Sequence, residues 1–251
     1  MRATKRMIVE IAVHSVESAL AAQAGGADRV ELFSNPLEGG VTPSEGLIGA
    51  VRERFFTDLH VMIRPRGGDF HYSDMEFDVM LRDVNVAKRL GANGIVSGLV
   101  NVDGTVDMRR TREIVEASRP LSVTFHRAFD VCINLEKALE DLITCGVDRV
   151  LTSGGEASAV EGSKSIANLV RLAGNRIKIM AGGGIKPGNI RQIVQKTSVR
   201  EVHAGLRTLI PGPMRFHNDK VSIGHTVPGQ YERTIVREDD VRRLVLEAEL
   251  L

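Results

Sequence analysis

The sequence predicts a single-domain (β/α)8 barrel spanning residues 1–251, and three observations carry that expectation. Short β-rich runs alternate with helix-patterned segments almost from end to end, giving eight units. Several helical segments close on glycine, as in Ala24-Gly25-Gly26, Leu90-Gly91 and Cys145-Gly146, where a left-handed cap is favoured. The glycine fingerprint of an open dinucleotide-binding sheet should follow the first strand, but Val13-His14-Ser15 stands there instead.

Strands are expected at 7–13, 29–33, 59–64, 94–97, 121–126, 149–152, 177–181 and 199–203. Helices are expected between them at 15–24, 44–54, 75–90, 108–117, 135–145, 159–172 and 187–194, with a last one at 238–249. No linker or low-complexity stretch divides the chain. Residues 206–236 break the rhythm: they are rich in Gly, Pro and polar residues and show no sustained period. This segment is expected to be an irregular loop after the eighth strand, serving as a lid or an intersubunit arm.

Composition narrows the function classes. The chain is 43% hydrophobic and 26% charged, in the range of soluble globular proteins with a sizeable core. A formal charge of +1 gives no general pull toward nucleic acid or an anionic membrane. Few aromatic residues and no Trp argue against a base-stacking surface. Two cysteines, Cys132 and Cys145, make neither a disulfide framework nor a CxxC metal signature. The run from Met7 is short and interrupted by Glu10, so it is neither a signal core nor a spanning helix, and a cytoplasmic location is expected.

In such a barrel the chemistry belongs at the C-terminal ends of the strands. Charged and polar residues inside or just after apolar runs collect there: Glu10, Glu31, Arg64, Arg66, His126, Arg127, Ser153 and His203. Strand alternation puts Leu121, Val123 and Phe125 on one face and Ser122, Thr124 and His126 on the other. If Val30 and Leu32 pack on helices, Glu31 points into the barrel, and the same parity puts Arg64 inward. Inward charges need partners, and Arg64 with Glu10 or Glu31 is the expected pair. Arg64 and Arg66, beside Gly67-Gly68, suit a planar anion. Gly182, Gly183 and Gly184 follow the seventh strand and precede a helix expected to carry Pro187 in its first turn, a phosphate or carboxylate cradle. Glu31 and His126 form the expected acid/base pair, with Asp130 either assisting or capping the helix that begins near Asn134. A Schiff-base mechanism fits poorly, because Lys178 begins its strand and Lys186 lies in the glycine loop.

Several segments, in order, resemble the CutC family, described as copper homeostasis proteins: Glu38-Gly39-Gly40-Val41-Thr42-Pro43-Ser44, Ile63 to Phe70, Thr124 to Asp130, Arg149 to Gly154, and Glu201-Val202-His203. The resemblance implies a TIM barrel, a cytoplasmic homo-oligomer such as a dimer, and copper(I) handling. Cys132 matches a cysteine common in the family, and His14 lies in the first loop, so these two are the implied metal ligands. The cysteines that family members carry after the first strand and at the end of the second are replaced here by Ala12, Val13 and Phe33. Cuprous copper prefers thiolates, whereas Glu31, Arg64, Arg66, His126 and Asp130 are hard ligands or anion binders. Two readings stand at this point: a copper homeostasis protein, and a barrel enzyme acting by acid/base chemistry on a small phosphorylated or carboxylated metabolite.

Overall fold

The computed structural model describes residues 6–218, 220, 221 and 229–251. Eight parallel strands close into a barrel in sequence order: β1 (Ile8–Val13), β2 (Arg29–Leu32), β3 (Asp58–Met62), β4 (Gly94–Ser97), β5 (Ser122–Phe125), β6 (Arg149–Thr152), β7 (Lys178–Ala181) and β8 (Glu201–Ala204). The (β/α)8 TIM barrel expected from the sequence is therefore present. Seven helices cross between the strands: α1 (Val16–Ala24), α2 (Glu45–Arg52), α3 (Asp74–Arg89), α4 (Met108–Ser118), α5 (Leu135–Cys145), α6 (Ser163–Ala173) and α7 (Ile190–Thr197). After β8 come β9 (Arg207–Pro211), β10 (Glu232–Val236) and α8 (Glu238–Glu249). Among the described residues no helix is long and apolar enough to cross a membrane.

Period-2 alternation builds two environments from each strand. Val30, Leu32, Leu59, Val61 and Ile63 are fully buried between barrel and helices, in the main core. The opposite parity sends Glu10, Arg29, Glu31, His60, Arg149 and Glu201 into the barrel, all nearly inaccessible. Local chemistry fixes the helix starts. Ser73 and Glu76 form a reciprocal capping box on α3, and Ser15, Ser44, Asp107 and Asn134 cap α1, α2, α4 and α5 through their side chains.

Three expectations change. The helix expected at 187–194 begins at Ile190 instead, because Gly188 takes a left-handed φ of 92° and breaks the turn after Pro187. The helix expected from 159 begins at Ser163; Ala159 N–H is committed to Gly183 O, 2.9 Å away in the next loop. The segment 206–236 is not irregular throughout. Its two ends pair as an antiparallel ribbon, β9 with β10, in the register Arg207↔Val236 to Pro211↔Glu232. The ribbon docks beside the start of α1, where Val236 N–H donates to Ser18 Oγ at 3.1 Å. Its alternating Thr208, Leu209, Ile210 and Thr234, Ile235 carry the strand signal, which is masked by the Gly- and Pro-rich residues between. Residues 219 and 222–228 of that segment lie outside the described residues.

Candidate functional site

The charged interior is one continuous network. Arg29 on β2 is bound by Glu10 on β1 and by Glu201 on β8, the latter at 2.8 Å, and it also reaches Met180 Sδ at 3.2 Å. Arg149 on β6 pairs with the same Glu201 and donates to Thr124 Oγ1 at 3.2 Å. Glu10 and Glu201 thus each meet a guanidinium, as ions removed from water require. Burial opposes ionisation of Glu10, but Arg29, with His203 and His60, holds its carboxyl well below the usual range. Arg149 and Arg29 likewise override burial and lower the Glu201 carboxyl.

Two residues nearer the C-terminal mouth than Glu201 on β8, His203 bridges two carboxylates. Its Nδ1–H donates to Glu10 Oε1 at 2.7 Å, and its Nε2 faces Glu31 Oε2 at 3.5 Å. Among the described residues no guanidinium pairs with Glu31, and its buried Oε1 has no hydrogen-bond partner. Burial, reinforced by the Glu10 charge and only partly offset by His203 and Arg29, pushes the Glu31 carboxyl up to about 7. Burial would lower His203, but Glu31 and Glu10 raise it. The pair therefore holds a proton near neutrality, the condition for acid/base work. His203 keeps 14% of its side chain exposed, and two residues on, a Cβ at Gly205 would meet nothing within 4 Å.

Other expected residues assemble differently. Arg64 does not pair with Glu10 or Glu31. Its guanidinium donates to the carbonyls of Glu38, Gly40 and Gly68 at 2.7, 2.7 and 2.8 Å and lies over the Phe70 ring at 4.8 Å. Strand β3 ends at Met62, so Arg64 leaves the barrel layer and ties loops together. Arg66 is also occupied: Nε donates to Glu76 at 2.6 Å, Nη1 to Asp69 and Nη2 to His71 O. Its expected anion is supplied by the protein itself. His126 is not the partner of Glu31. Its Nδ1 accepts the Ala128 N–H at 3.1 Å, which places the proton on Nε2, and that atom is buried and unpartnered. Burial, with Arg64 nearby, pushes His126 down to about 3, so it is a neutral donor rather than a titrating base.

Asp130 does not cap α5; Asn134 does. The Asp130 carboxylate accepts from Ser153 N–H at 3.0 Å, Ser153 Oγ at 2.9 Å, Gly155 N–H at 3.1 Å and Arg127 Nε at 2.7 Å, besides Thr152 Oγ1. It pins the end of β6. Arg127 in turn lies against Gly183, where a Cβ would be 3.5 Å from its Cζ. Gly182 has no room for a side chain, since Leu151 Cδ1 would be 2.4 Å from its Cβ, and Gly184 is exposed.

His14 and Cys132 do not converge. They follow β1 and β5, which stand on opposite walls of a closed eight-stranded barrel. His14 Nε2 contacts Thr234 O at 3.1 Å, and Cys132 Sγ points to Ala128 O at 3.6 Å. Burial, with Asp130 and Asp141, pushes the Cys132 thiol up to about 12. Arg29, His60, Arg149 and Glu201 also belong to this interior network, beyond the site residues expected from the sequence. The signal was there: Arg29 shares the parity of Glu31, and Glu201 that of His203.

Comparison with known proteins agrees with this layout. The CutC family model matches residues 7–208. A CutC family protein of Bacteroides thetaiotaomicron is 47% identical over 233 residues, covering 92% of this chain and 94% of the relative. That of Chromobacterium violaceum is 45% identical over 237 residues, covering 94% and 96%. The solved structure of CutC from Streptococcus agalactiae, named for copper homeostasis, superposes with a TM-score of 0.75 at 32% identity, covering 78% of this chain and 97% of that one. Phosphoribosylanthranilate isomerase from Thermotoga maritima, at 16% identity and a TM-score of 0.58, shares the fold alone. With its family pattern spread over all eight barrel strands, the chain belongs to the CutC family.

Proposed function

We propose that the barrel mouth carries out proton transfer on a small anionic metabolite, with Glu31 holding the proton and His203 beside it. The observation that carries this reading is Glu31 itself: a carboxyl inside the barrel, pushed up to about 7, with one oxygen unpartnered and the other facing an imidazole. A buried acid that titrates near neutrality is poorly suited to holding a barrel together and well suited to moving protons. Glu10 orients His203 by taking its Nδ1–H. The neutral His126 Nε2–H and the Arg64 Nε–H, whose side chains pack on the same Phe70 ring, have no acceptor among the described residues and leave two spare donors in the loops after β5 and β3. The test is exchange in D2O of small carbonyl compounds bearing a carboxylate or a phosphate. Wild-type protein is expected to wash deuterium into the carbon next to the carbonyl of at least one of them, and Glu31→Gln to slow this by roughly 100-fold or more. No exchange above buffer across the panel, or equal exchange by the variant, would contradict the reading.

Copper homeostasis is the second reading, and the name of the Streptococcus agalactiae relative supports it. The described donors do not fit cuprous copper. Cys145 is buried with its thiol raised by burial, and it bonds Met108 O rather than facing Cys132. Met180 Sδ is held by Arg29, and Met62 packs with Ala12 and Phe33. Any copper role of this chain is therefore expected to proceed without a thiolate chelate. Under reducing conditions the protein is expected not to draw copper(I) from a competing chelator; uptake that Cys132→Ser abolishes would establish the copper site instead.

A further inference from the structure

A second feature of the mouth is a cleft of about 660 Å3 between the loop after β7 and the loop after β8, bounded on its outer side by α8. Gly184, Ile185, Gly205 and Leu206 line it, and their four backbone N–H groups have no acceptor among the described residues. Lys186, Arg207 and Arg243 add three cationic side chains to the rim. Arg243 is neutralised by Asp240, and Arg207 uses one guanidinium nitrogen on Pro36 O at 3.2 Å. The Lys186 ammonium has no acceptor among the described residues, so two cations remain for a ligand. The helix termini nearby are already served. Glu247 accepts the Gly188 N–H ahead of α7, and Glu238, Asp239 and Asp240 fill the first turn of α8. What is left is a concave patch of unpaired N–H donors with net positive charge, which matches a tetrahedral dianion with several acceptor oxygens.

We propose that this cleft binds the phosphate of a small phosphomonoester and thereby names the substrate class of the acid/base site. The inference rests on the proposed reading of Glu31 and His203. Gly205 links the two places: it lines the cleft, follows His203 by two residues, and a Cβ there would meet nothing within 4 Å. On this proposal a phosphate held by the Gly205 and Gly184 N–H groups would be bound by the loop that directly follows His203 on β8, and the rest of a short molecule would extend toward the barrel mouth. The side-chain ladder below needs no positive end of its own, because Arg29 and Arg149 are consumed by Glu10 and Glu201. The anion-binding and proton-transferring functions are thus divided between the loops and the barrel floor.

The cleft is tested with inorganic phosphate and glycerol phosphate, titrated into the full chain and followed by calorimetry and 31P NMR. Wild-type protein is expected to bind both saturably, and Lys186→Ala with Arg207→Ala to weaken binding at least 10-fold. Gly205→Asp is the decisive variant. Its side chain enters open space on a backbone outside the left-handed region, so the fold is kept while a carboxylate occupies the phosphate position. It is expected to abolish binding. Glu31→Gln should bind phosphate as wild type does. Absence of phosphate binding, binding unaffected by Gly205→Asp, or equal displacement by chloride at matched ionic strength would overturn the inference. If carboxylated compounds still exchange deuterium in that case, the acid/base reading survives without the phosphate site. If phosphate binds as expected while Glu31→Gln loses no exchange, the cleft stands and the acid/base reading falls.

Discussion

Arg29→Met is expected to destabilise the protein by about 3–5 kcal/mol, the usual result of removing one partner from a buried ion cluster. Arg29 is the only described guanidinium bonded to Glu10, and it shares Glu201 with Arg149. Its loss leaves Glu10 fully buried with His203 as its one described hydrogen-bond partner. The side-chain volume is nearly kept, so the loss reads the charge and not a cavity. For a domain of this size the melting temperature should fall by roughly 6–20 °C. Urea denaturation at neutral pH measures it. A change under about 1 kcal/mol would mean that the interior charges are not the mutually dependent network described here.

The second large effect is a pH dependence that Glu31 imposes on folding. An unfolded glutamate titrates near 4.3, whereas Glu31 in the fold is pushed up to about 7. Between those values the folded state binds the extra proton, so its stability falls as pH rises through the window. Above about pH 7 the full penalty applies, on the order of 3–4 kcal/mol. His203, raised by Glu31 and Glu10, acts in the same direction: its contribution is present at low pH and is lost as pH climbs through its folded value. Glu10 and Glu201, both lowered, act oppositely, and their contributions are lost on acidification below the ordinary carboxylate range. Glu31→Gln should therefore be more stable than wild type at pH 8, by roughly 1–3 kcal/mol, and about equal to it near pH 5. Denaturation midpoints at the two pH values check the sign. On the proposed reading, this cost in stability at working pH is the trade a proton-transfer site makes.

The barrel was legible because its strands obey one rule. Apolar residues of one parity face the helices, so the glutamate between Val30 and Leu32 had to point inward, and it does. Pairing across the barrel was not legible. Which inward charge meets which depends on the register of closure, and closing β1 against β8 sets Glu10 directly opposite His203. Nothing local in the sequence states that register. Arg64 shows the limit of parity itself, since the strand rule was extended past the last ladder residue, Met62, into a loop with its own carbonyls to satisfy. Asp130 and Arg66 looked reactive because loop carboxylates and guanidiniums at strand ends resemble a site. Their hydrogen-bond counts show them holding the loops that frame it. His126 offers acid/base chemistry only at its ordinary pKa, and burial beside Arg64 removes that chemistry while leaving a donor.

The central claim, that a carboxyl inside this barrel keeps its proton at neutral pH, is read most directly by carbon-13 NMR of the glutamate carboxyls across a pH titration. Glu31→Gln identifies the resonance by its disappearance. The account predicts one glutamate carboxyl with a midpoint near 7. A Glu31 midpoint at the ordinary value near 4.5 would contradict it and return Glu31 to the ranks of structural ion pairs.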